Sequence, residues 1–235
     1  NVEVGPLGLL SGALGLFSSP AGGFTVFGTG LGALTGVSDW GTLDSPASPA
    51  TNTTVFDNTD RLALEQDTGA TATDAGLEWA LHLRLASFSF PTLVHRVRLM
   101  QSTDIRVFIG YTNQTLATMV ASDNPAGEYI GLGFSTARGD TAWQFVGKDG
   151  VTQQLVASGD TIGTDPRYFL LRVLGGAFVL RLFDGTWTNP KGTAGTITNY
   201  PASTTNVRLV AGIRRVAASA RQFQQSSIYE VISYF

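Results

Sequence analysis

The sequence predicts an antiparallel β-sandwich, and three observations lead to this prediction. Short runs of alternating apolar and polar residues recur along the chain, separated by turn-forming Gly, Asp, Asn and Ser. No long stretch has the apolar period of a helix. Gly is abundant, with 28 among 235 residues, as expected for a chain with many tight turns. A sandwich of roughly a dozen strands accounts for all three.

The first 36 residues are interpreted as a glycine-rich apolar arm. No charge lies between residues 5 and 38, yet a membrane span is rejected because Pro6, Pro20 and ten glycines interrupt the run. Such a segment cannot bury its own apolar side chains, so we expect it to pack against another subunit or against the body of its own domain. A short strand is predicted over Phe24–Phe27. The predicted assembly residues are Leu7, Leu10, Leu14, Phe17, Phe24 and Phe27.

Residues 37–235 are predicted to form the sandwich domain. Up to residue 74 the chain is rich in Ser, Thr, Pro and Asp, which favours turns and short strands, and Trp40 is expected to plug an edge of the fold. Hairpin turns are indicated at Lys148-Asp149-Gly150 and Leu174-Gly175-Gly176, and a third turn at Asp184-Gly185. The predicted strands are Thr54–Phe56, Arg61–Glu65, Leu77–Phe90, Thr92–Met100, Ile105–Tyr111, Tyr129–Ser135, Trp143–Gly147, Gln153–Ala157, Arg167–Val173, Ala177–Phe183, Val207–Arg214 and Ile228–Phe235, with about one helical turn within Asn113–Val120.

The composition limits the classes of function. The chain has no cysteine, which excludes disulfides, thiolate nucleophiles and cysteine–metal sites. Only 14% of its residues are charged, against ~25% in a typical globular protein, which favours a surface largely covered by neighbours. A net charge of −3 does not indicate the excess of positive charge that nucleic-acid binding needs. We therefore expect no nucleic-acid partner, no membrane span and no cofactor.

No set of side chains has the spacing of a catalytic or metal site. His82 is expected on a solvated strand face, and His95 is expected to be a half-buried packing residue. A glycosidase needs two carboxylates about 5–10 Å apart. Jelly-roll glucanases place theirs on one strand as Glu-x-Asp-x-x-Glu, a pattern that this chain lacks. We predict that the chain is not an enzyme and binds no metal. The acidic residues at predicted strand ends and turns, explained by backbone geometry, are Asp123, Glu128, Asp140 and Asp149.

Aromatic residues are the remaining candidates for a binding role. Trp143 and Phe145 fall on one face of their strand, so core packing explains them at least as well as a sugar platform. Trp187 lies in a predicted loop and is the best single candidate for an exposed contact. The candidate glycan contacts are Trp187, Tyr200 and Asn113.

Three stretches read together resemble bacteriophage fibre and tail proteins. They are RVFIGYTN from Arg106, YIGLGFSTARGDTAWQFVGKDGVTQQLVASG from Tyr129, and YFLLRV from Tyr168. The resemblance covers about Trp40–Phe235 and leaves the arm outside it. It implies a jelly-roll sandwich of the concanavalin A/laminin-G type, usually displayed on a trimeric fibre.

The resemblance also implies a virion structural role, as a fibre, spike or capsid-decorating protein assembled in the host cytoplasm. Its implied partners are further copies of the chain, with a trimer favoured, other virion proteins and host-surface carbohydrate. Loops around Asn113–Pro125 and Asp184–Pro201 are expected to be displayed. The alternative is a free carbohydrate-binding, lectin-like module, which binds sugar as a monomer and does not need residues 1–36.

Overall fold

The structure is a computed structural model that describes residues 24–29, 51–56, 62–69, 73–78, 83–84, 92–174 and 176–233. Side chains are described within 65–69, 73–78, 92–174 and 176–225. The described residues form β-strands and one short helix. In chain order these are β1 (Phe24–Thr29), β2 (Thr51–Phe56), β3 (Leu62–Asp67), β4 (Asp74–Glu78), β5 (Leu83–Arg84), β6 (Thr92–Leu99), β7 (Ile105–Thr112), α1 (Leu116–Ala121), β8 (Glu128–Ser135), β9 (Ala142–Asp149), β10 (Gln153–Thr161), β11 (Arg167–Leu174), β12 (Ala177–Asp184), β13 (Pro190–Ile197), β14 (Asn206–Arg215) and β15 (Gln222–Ser233).

Two antiparallel sheets pack face to face, which confirms the predicted jelly-roll sandwich. The larger sheet has 8 strands in the order β13-β12-β11-β6-β15-β3-β2, with β1 paired to the far part of β15. The smaller sheet has 7 strands in the order β10-β9-β8-β7-β14-β4, with β5 also paired to β14. The chain passes from one sheet to the other between β3 and β4, β5 and β6, β6 and β7, β10 and β11, β13 and β14, and β14 and β15, so neighbours in a sheet are often distant in sequence.

The core lies between the inner faces of the two sheets, and strand alternation selects it. In β7, Val107, Ile109 and Tyr111 are buried in this core. From the facing sheet, Phe169 and Leu171 of β11 meet them in the same cluster. Burying a side chain of this size stabilises the fold by roughly 1.5–3 kcal/mol. A slip of one residue in any strand would turn its apolar set outward, so the register is strongly specified. Trp143 and Phe145 also lie in the core, as their shared strand face predicts.

His95 is buried more deeply than predicted. It has 0% exposure, and its Nε2 donates a hydrogen bond to Gln225 Oε1 at 3.0 Å. Gln225 Nε2 in turn donates to Gln66 Oε1. Burial lowers the pKa of His95 to about 3, against the opposing effect of the hydrogen bond to Gln225. The ring is therefore neutral at pH 7 and serves as an interior structural group.

Two predicted strands have different bounds in the structure, and one strand lies where a loop is predicted. The range Leu77–Phe90 contains the end of β4 and the two residues of β5, and the rest of it lies outside the described residues. Strand β13 occupies a stretch predicted to be a displayed loop. Its sequence PKGTAGTI has Ile197 as its one large apolar residue and contains two glycines and a proline, so pairing with β12 decides its conformation. Strand β15 begins at Gln222 rather than at Ile228, because the polar run QFQQSS hides its alternation.

The predicted strand in the arm is present as β1, which pairs with β15 of the same chain. Leu7, Leu10, Leu14 and Phe17 lie outside the described residues, as do the side chains of Phe24 and Phe27, so their role in assembly stays a prediction. Trp40 and the side chain of His82 also lie outside. Within the described ranges, no helix has the length and apolar character needed to cross a membrane.

Candidate functional site

The outer face of the smaller sheet is closed by the segment 113–125, which the sequence predicts to be a displayed loop. Within it, α1 confirms the predicted helical turn. The helix begins after Thr115, whose Oγ1 accepts a hydrogen bond from Thr118 N at 3.3 Å. A capping hydroxyl of this kind satisfies an amide that has no partner within the helix. A second apolar cluster joins α1 to the sheet and consists of Phe108, Leu116, Met119, Val120, Tyr129, Val146 and Val210.

Glycines on this face let the helix and the strands approach closely. A Cβ on Gly76 would lie 2.6 Å from Leu116 Cδ2, and one on Gly212 would lie 2.7 Å from it. On the neighbouring strands, a Cβ on Gly131 would lie 2.1 Å from Ile109 O. Real Cβ atoms do not come this close, so only glycine at these positions allows Leu116 of α1 and the neighbouring backbone to pack against the sheet.

The charged side chains on the covered face are neutralised locally. Arg106 Nε donates to Asp123 Oδ1 at 2.7 Å, and Arg138 binds Asp140 with both Nε and Nη2. Burial of Asp123 raises the pKa of its carboxyl, but hydrogen bonds and charge from Arg106 outweigh this and hold the pKa below its usual range. Lys148 Nζ donates to Pro125 O at 3.0 Å, which fastens the end of the segment. These groups hold the cover in place.

The space left under the cover is too small for a sugar. A cavity of about 20 Å³ lies beside Asp123, between α1 and the sheet, and it has room for about one water molecule. Tyr129 forms part of its wall, and burial raises the pKa of this phenol to about 12, against the opposing effects of Gln153 and Arg138. At pH 7 the hydroxyl is therefore protonated and is not a general base.

The two carboxylates that share a face of β4 do not have the spacing needed for glycoside hydrolysis. Asp74 and Glu78 lie on one face of β4, but four residues of strand separate them by roughly 13 Å. Glu78 is bonded to Arg208 and accepts a hydrogen bond from Leu116 N, and Asp74 lies 3.4 Å from Arg214. In the same ranges, no three His, Asp or Glu residues are grouped as metal ligands.

The outer face of the larger sheet differs, because arginine and aromatic side chains alternate with the core residues there. Cross-strand pairing sets Tyr168 of β11 between Arg96 of β6 and Phe183 of β12. Two residues along β11, Leu170 faces Arg181. We call the group Arg96, Tyr168, Arg172, Arg181, Phe183 and Trp187 the arginine–aromatic face.

Four contacts connect this face into a continuous ladder of rings and guanidinium groups. Arg96 lies over the ring of Tyr168, and Arg181 over the ring of Phe183, each at 5.8 Å from the ring centre. Trp187 joins the two rings: it is stacked on Phe183 at 4.4 Å and meets Tyr168 edge-on at 5.1 Å. Arg96 and Tyr168 are buried, at 2% and 0% exposure, whereas Arg181, Phe183 and Trp187 are half-buried and reach the surface. The buried contact and the ring stacking set the ladder in place before any ligand arrives.

The β12–β13 turn fixes Trp187 in this ladder. The Asp184 carboxylate accepts hydrogen bonds from Thr186 N, Thr188 N and the Asn189 side chain. Burial disfavours the charged form of Asp184, but these hydrogen bonds outweigh it and hold the pKa of the carboxyl far below its usual range. Trp187 has φ +63°, a left-handed conformation that is uncommon for a bulky residue. Its side chain is half-buried, so it is less exposed than the loop position suggests.

The other two candidate contacts lie elsewhere. Tyr200 packs edge-on against Phe178 at 4.8 Å and donates from its hydroxyl to Gly176 O. Asn113 Oδ1 accepts a hydrogen bond from Glu128 N at 3.0 Å, and the Glu128 carboxylate accepts one from Ala202 N, two residues after Tyr200. Asn113 and Tyr200 therefore lie at the same end of the sandwich. Trp187 precedes β13 and Tyr200 follows it, at opposite ends of a strand roughly 26 Å long. The three candidates therefore do not form one site.

The arginines of this face escaped the sequence analysis because the signal is tertiary. Arg96, Arg172 and Arg181 come from three strands, and each stands in an ordinary alternating run. Only the antiparallel register of β6, β11 and β12 places them on one surface with Trp187.

Comparisons with known proteins show the fold and leave the family open. Neither a protein-family model nor the sequence of a curated protein matches the chain. A protein of unknown function from Shewanella oneidensis MR-1 is similar in structure, with TM-score 0.68 and 10% identity over 98% of this chain and 95% of that one. The binding domain of Paraclostridial Mosquitocidal Protein 1 has TM-score 0.52 at 9% identity, over 83% of this chain and 44% of that one. A Bacillus licheniformis β-glucanase has TM-score 0.50 at 10% identity, over 87% and 97%.

Proposed function

We propose that this chain is a structural protein of a phage virion, a fibre, spike or capsid-decorating protein that binds host-surface glycan through its β-sandwich. The observation that carries the glycan-binding part is the arginine–aromatic face, in which Trp187 stacks on Phe183 and Arg181 lies over the Phe183 ring on the outside of the larger sheet. It is a binding surface without a catalytic group, and the proposed action is adhesion.

The chemistry of the face suits a sugar polymer. Sugar rings carry flat C–H surfaces that pack on aromatic rings, while their hydroxyl groups accept hydrogen bonds from fixed donors. Trp187 supplies a ring held by its turn, and the guanidinium groups of Arg172 and Arg181 supply donors in a planar fork. Tyr, Trp, Phe and Arg are also the residues that dominate recognition surfaces.

The virion role is supported by the sequence. The stretches beginning at Arg106, Tyr129 and Tyr168 resemble phage fibre and tail proteins, and only 14% of the chain is charged. The apolar arm of residues 1–36 suits a protein that is covered by neighbours in an assembly. We propose a homo-oligomer, with a trimer favoured, that is held together in part by this arm.

A free lectin-like module is the second candidate, and the pairing of β1 with β15 favours it. In this arrangement the strand Phe24–Thr29 pairs with β15 of its own chain, so this part of the arm needs no second subunit to form its hydrogen bonds. Such a module binds glycan as a monomer.

Two measurements separate these candidates. Light scattering on the full chain is expected to give the mass of an oligomer, and a chain that begins at Val37 is expected to give the mass of a monomer. If the full chain is a monomer, the assembly role is wrong and the lectin-like module is favoured. A glycan array tests binding in both cases, and the absence of binding to every glycan would overturn the role of the arginine–aromatic face.

A further inference from the structure

We infer that the ligand of the arginine–aromatic face is an acidic polysaccharide, whose carboxylates pair with Arg172 and Arg181. This inference rests on the proposed glycan-binding function and adds the charge of the glycan to it. It is carried by the positions of the two arginines and by the distribution of carboxylates in the described part of the chain.

Arg172 and Arg181 are close together on one surface. In the β11–β12 ladder, Arg172 faces Val179 and Arg181 faces Leu170, so the two arginines are diagonal neighbours on the same side of the sheet. Diagonal neighbours of an antiparallel pair have Cβ atoms about 7 Å apart. Two like charges at this distance repel each other, and a bound anion relieves that repulsion.

Carboxylates do not neutralise this pair within the described ranges. The ion pairs recorded there use other arginines, namely Arg106, Arg138, Arg167, Arg208, Arg214 and Arg221. Arg172 is exposed, and Arg181 contacts Phe183 while its buried Nε has no hydrogen-bond partner among the described groups. The exposed guanidinium of Arg172 therefore has donors that a ligand can reach, and the half-buried Arg181 offers its Nη groups beside them, since its Nε is buried.

Two acidic side chains that the structure describes on or beside this sheet are engaged elsewhere. Asp184 accepts the hydrogen bonds of its own turn. Glu65 of β3 accepts a hydrogen bond from Gln224 Nε2, and β3 lies three strands from β11, a spacing of roughly 14 Å. The positive charge of Arg172 and Arg181 therefore faces outward.

The rest of the face favours a polysaccharide over other polyanions. A guanidinium group matches a carboxylate with two parallel hydrogen bonds. Trp187, Phe183 and the half-buried Leu170 and Val179 add a ring-stacking and apolar surface, which an inorganic polyphosphate cannot use. Because the whole chain carries a net charge of −3, it does not attract polyanions in general, so an acidic polymer binds only where positive charge is local.

The test uses the full chain and two polymers that differ only in charge. Polygalacturonate carries a carboxylate on each sugar, and its methyl ester has the same backbone without the charge. We expect the full chain to bind polygalacturonate at least about tenfold more tightly than the ester in titration calorimetry. The double variant R172Q/R181Q is expected to lose about tenfold in affinity for polygalacturonate. The variant R172K/R181K keeps the charge but not the fork, and is expected to fall between the two.

A matched control is Arg215→Gln, which removes an arginine charge from the end of the smaller sheet and is expected to change the affinity less than about twofold. Circular dichroism and thermal melting check that each variant is folded. Equal binding of polygalacturonate and its ester would overturn the inference and leave the proposed function standing. An equal loss in Arg215→Gln would also overturn it, because the attraction would then be non-specific. If neither these polymers nor neutral glycans bind, both the inference and glycan binding fail.

Discussion

The two outer faces of the sandwich are built from the same kind of strand and serve different ends. The smaller sheet carries glycines and apolar residues that receive α1, and its arginines are paired with Asp123, Asp140 and Glu78. The larger sheet presents Arg172, Arg181 and a ladder of aromatic rings. The arginines of the covered face are paired with carboxylates, although Arg208 Nε and Asp74 Oδ1 are buried there without a hydrogen-bond partner. On the arginine–aromatic face, Arg172 and Arg181 have no carboxylate partner among the described residues.

Under the proposed function, the difference separates the residues that stabilise the fold from those that bind the ligand. Apolar burial and paired charges on the covered face contribute to folding, because they remove surface from water and leave little unsatisfied. Half-buried rings and unpaired cations contribute less to folding, and they provide binding energy when a ligand supplies the missing partner. Substitutions on the covered face should therefore lower stability more than ligand affinity, and substitutions on the arginine–aromatic face should do the reverse.

The largest effect is expected where backbones approach on the covered side. Replacing Gly131 by Ala puts a Cβ 2.1 Å from Ile109 O and should lower the free energy of unfolding by more than about 3 kcal/mol, as measured by urea denaturation. Gly163 has open space around it, so Gly163→Ala is the matched control and should change stability by less than about 0.5 kcal/mol. Similar losses in both variants would show that the close approach of β7 and β8 is unimportant.

One leucine on each face makes the comparison direct. Leu116→Ala empties a fully buried position under α1 and should cost about 3 kcal/mol of unfolding free energy. Leu170→Ala, at a half-buried position beside Arg181, should cost less than about 1.5 kcal/mol. Denaturant unfolding measures both, and calorimetry with glycan should show weaker binding only for Leu170→Ala. The contrast between the faces is wrong if Leu116→Ala is the milder change.

Acid tests the core that both faces share. The pKa of His95 is about 3 in the folded state against an ordinary 6.5, so the unfolded chain binds the proton first and stability falls as the pH falls through this window. Between pH 6.5 and about 5 the loss should be about 2 kcal/mol. In His95→Gln this slope should disappear from urea titrations taken at several pH values, since the group no longer titrates. An unchanged slope would place the titrating group elsewhere.

The smallest effect on stability is expected at the turn that holds Trp187. Asp184→Ala removes the acceptor of the turn and should cost about 1 kcal/mol, while shifting tryptophan fluorescence to longer wavelength as Trp187 becomes hydrated. Asp149 accepts similar hydrogen bonds from Val151 N and Thr152 N in the β9–β10 turn, so Asp149→Ala is the control. It should leave the fluorescence unchanged. A shift in both variants would mean that the fluorescence reports a change in the whole fold and not the hydration of Trp187.

The sequence predicted the class of fold and most strands of the described part because alternation is a local property. Tyr129–Ser135 and Ala177–Phe183 carry it plainly and lie within β8 and β12. The same reasoning missed β13, whose small residues become a strand through pairing with β12. It also took 113–125 for an open loop, because the sequence does not show which sheet receives Leu116 and Met119.

The sequence by itself determined that this chain is an all-β sandwich with tight polar turns, since side-chain alternation and turn chemistry act over a few residues. Only the tertiary structure decided which outer face is closed and which face leaves Arg172 and Arg181 without a carboxylate partner in the described part of the chain. The physical reason is that strand register brings together residues distant in sequence: Tyr168 and Phe183 with Trp187, and Arg106 with Asp123. Whether an arginine is paired with a carboxylate, and so whether its charge is left for a ligand, depends on these tertiary contacts.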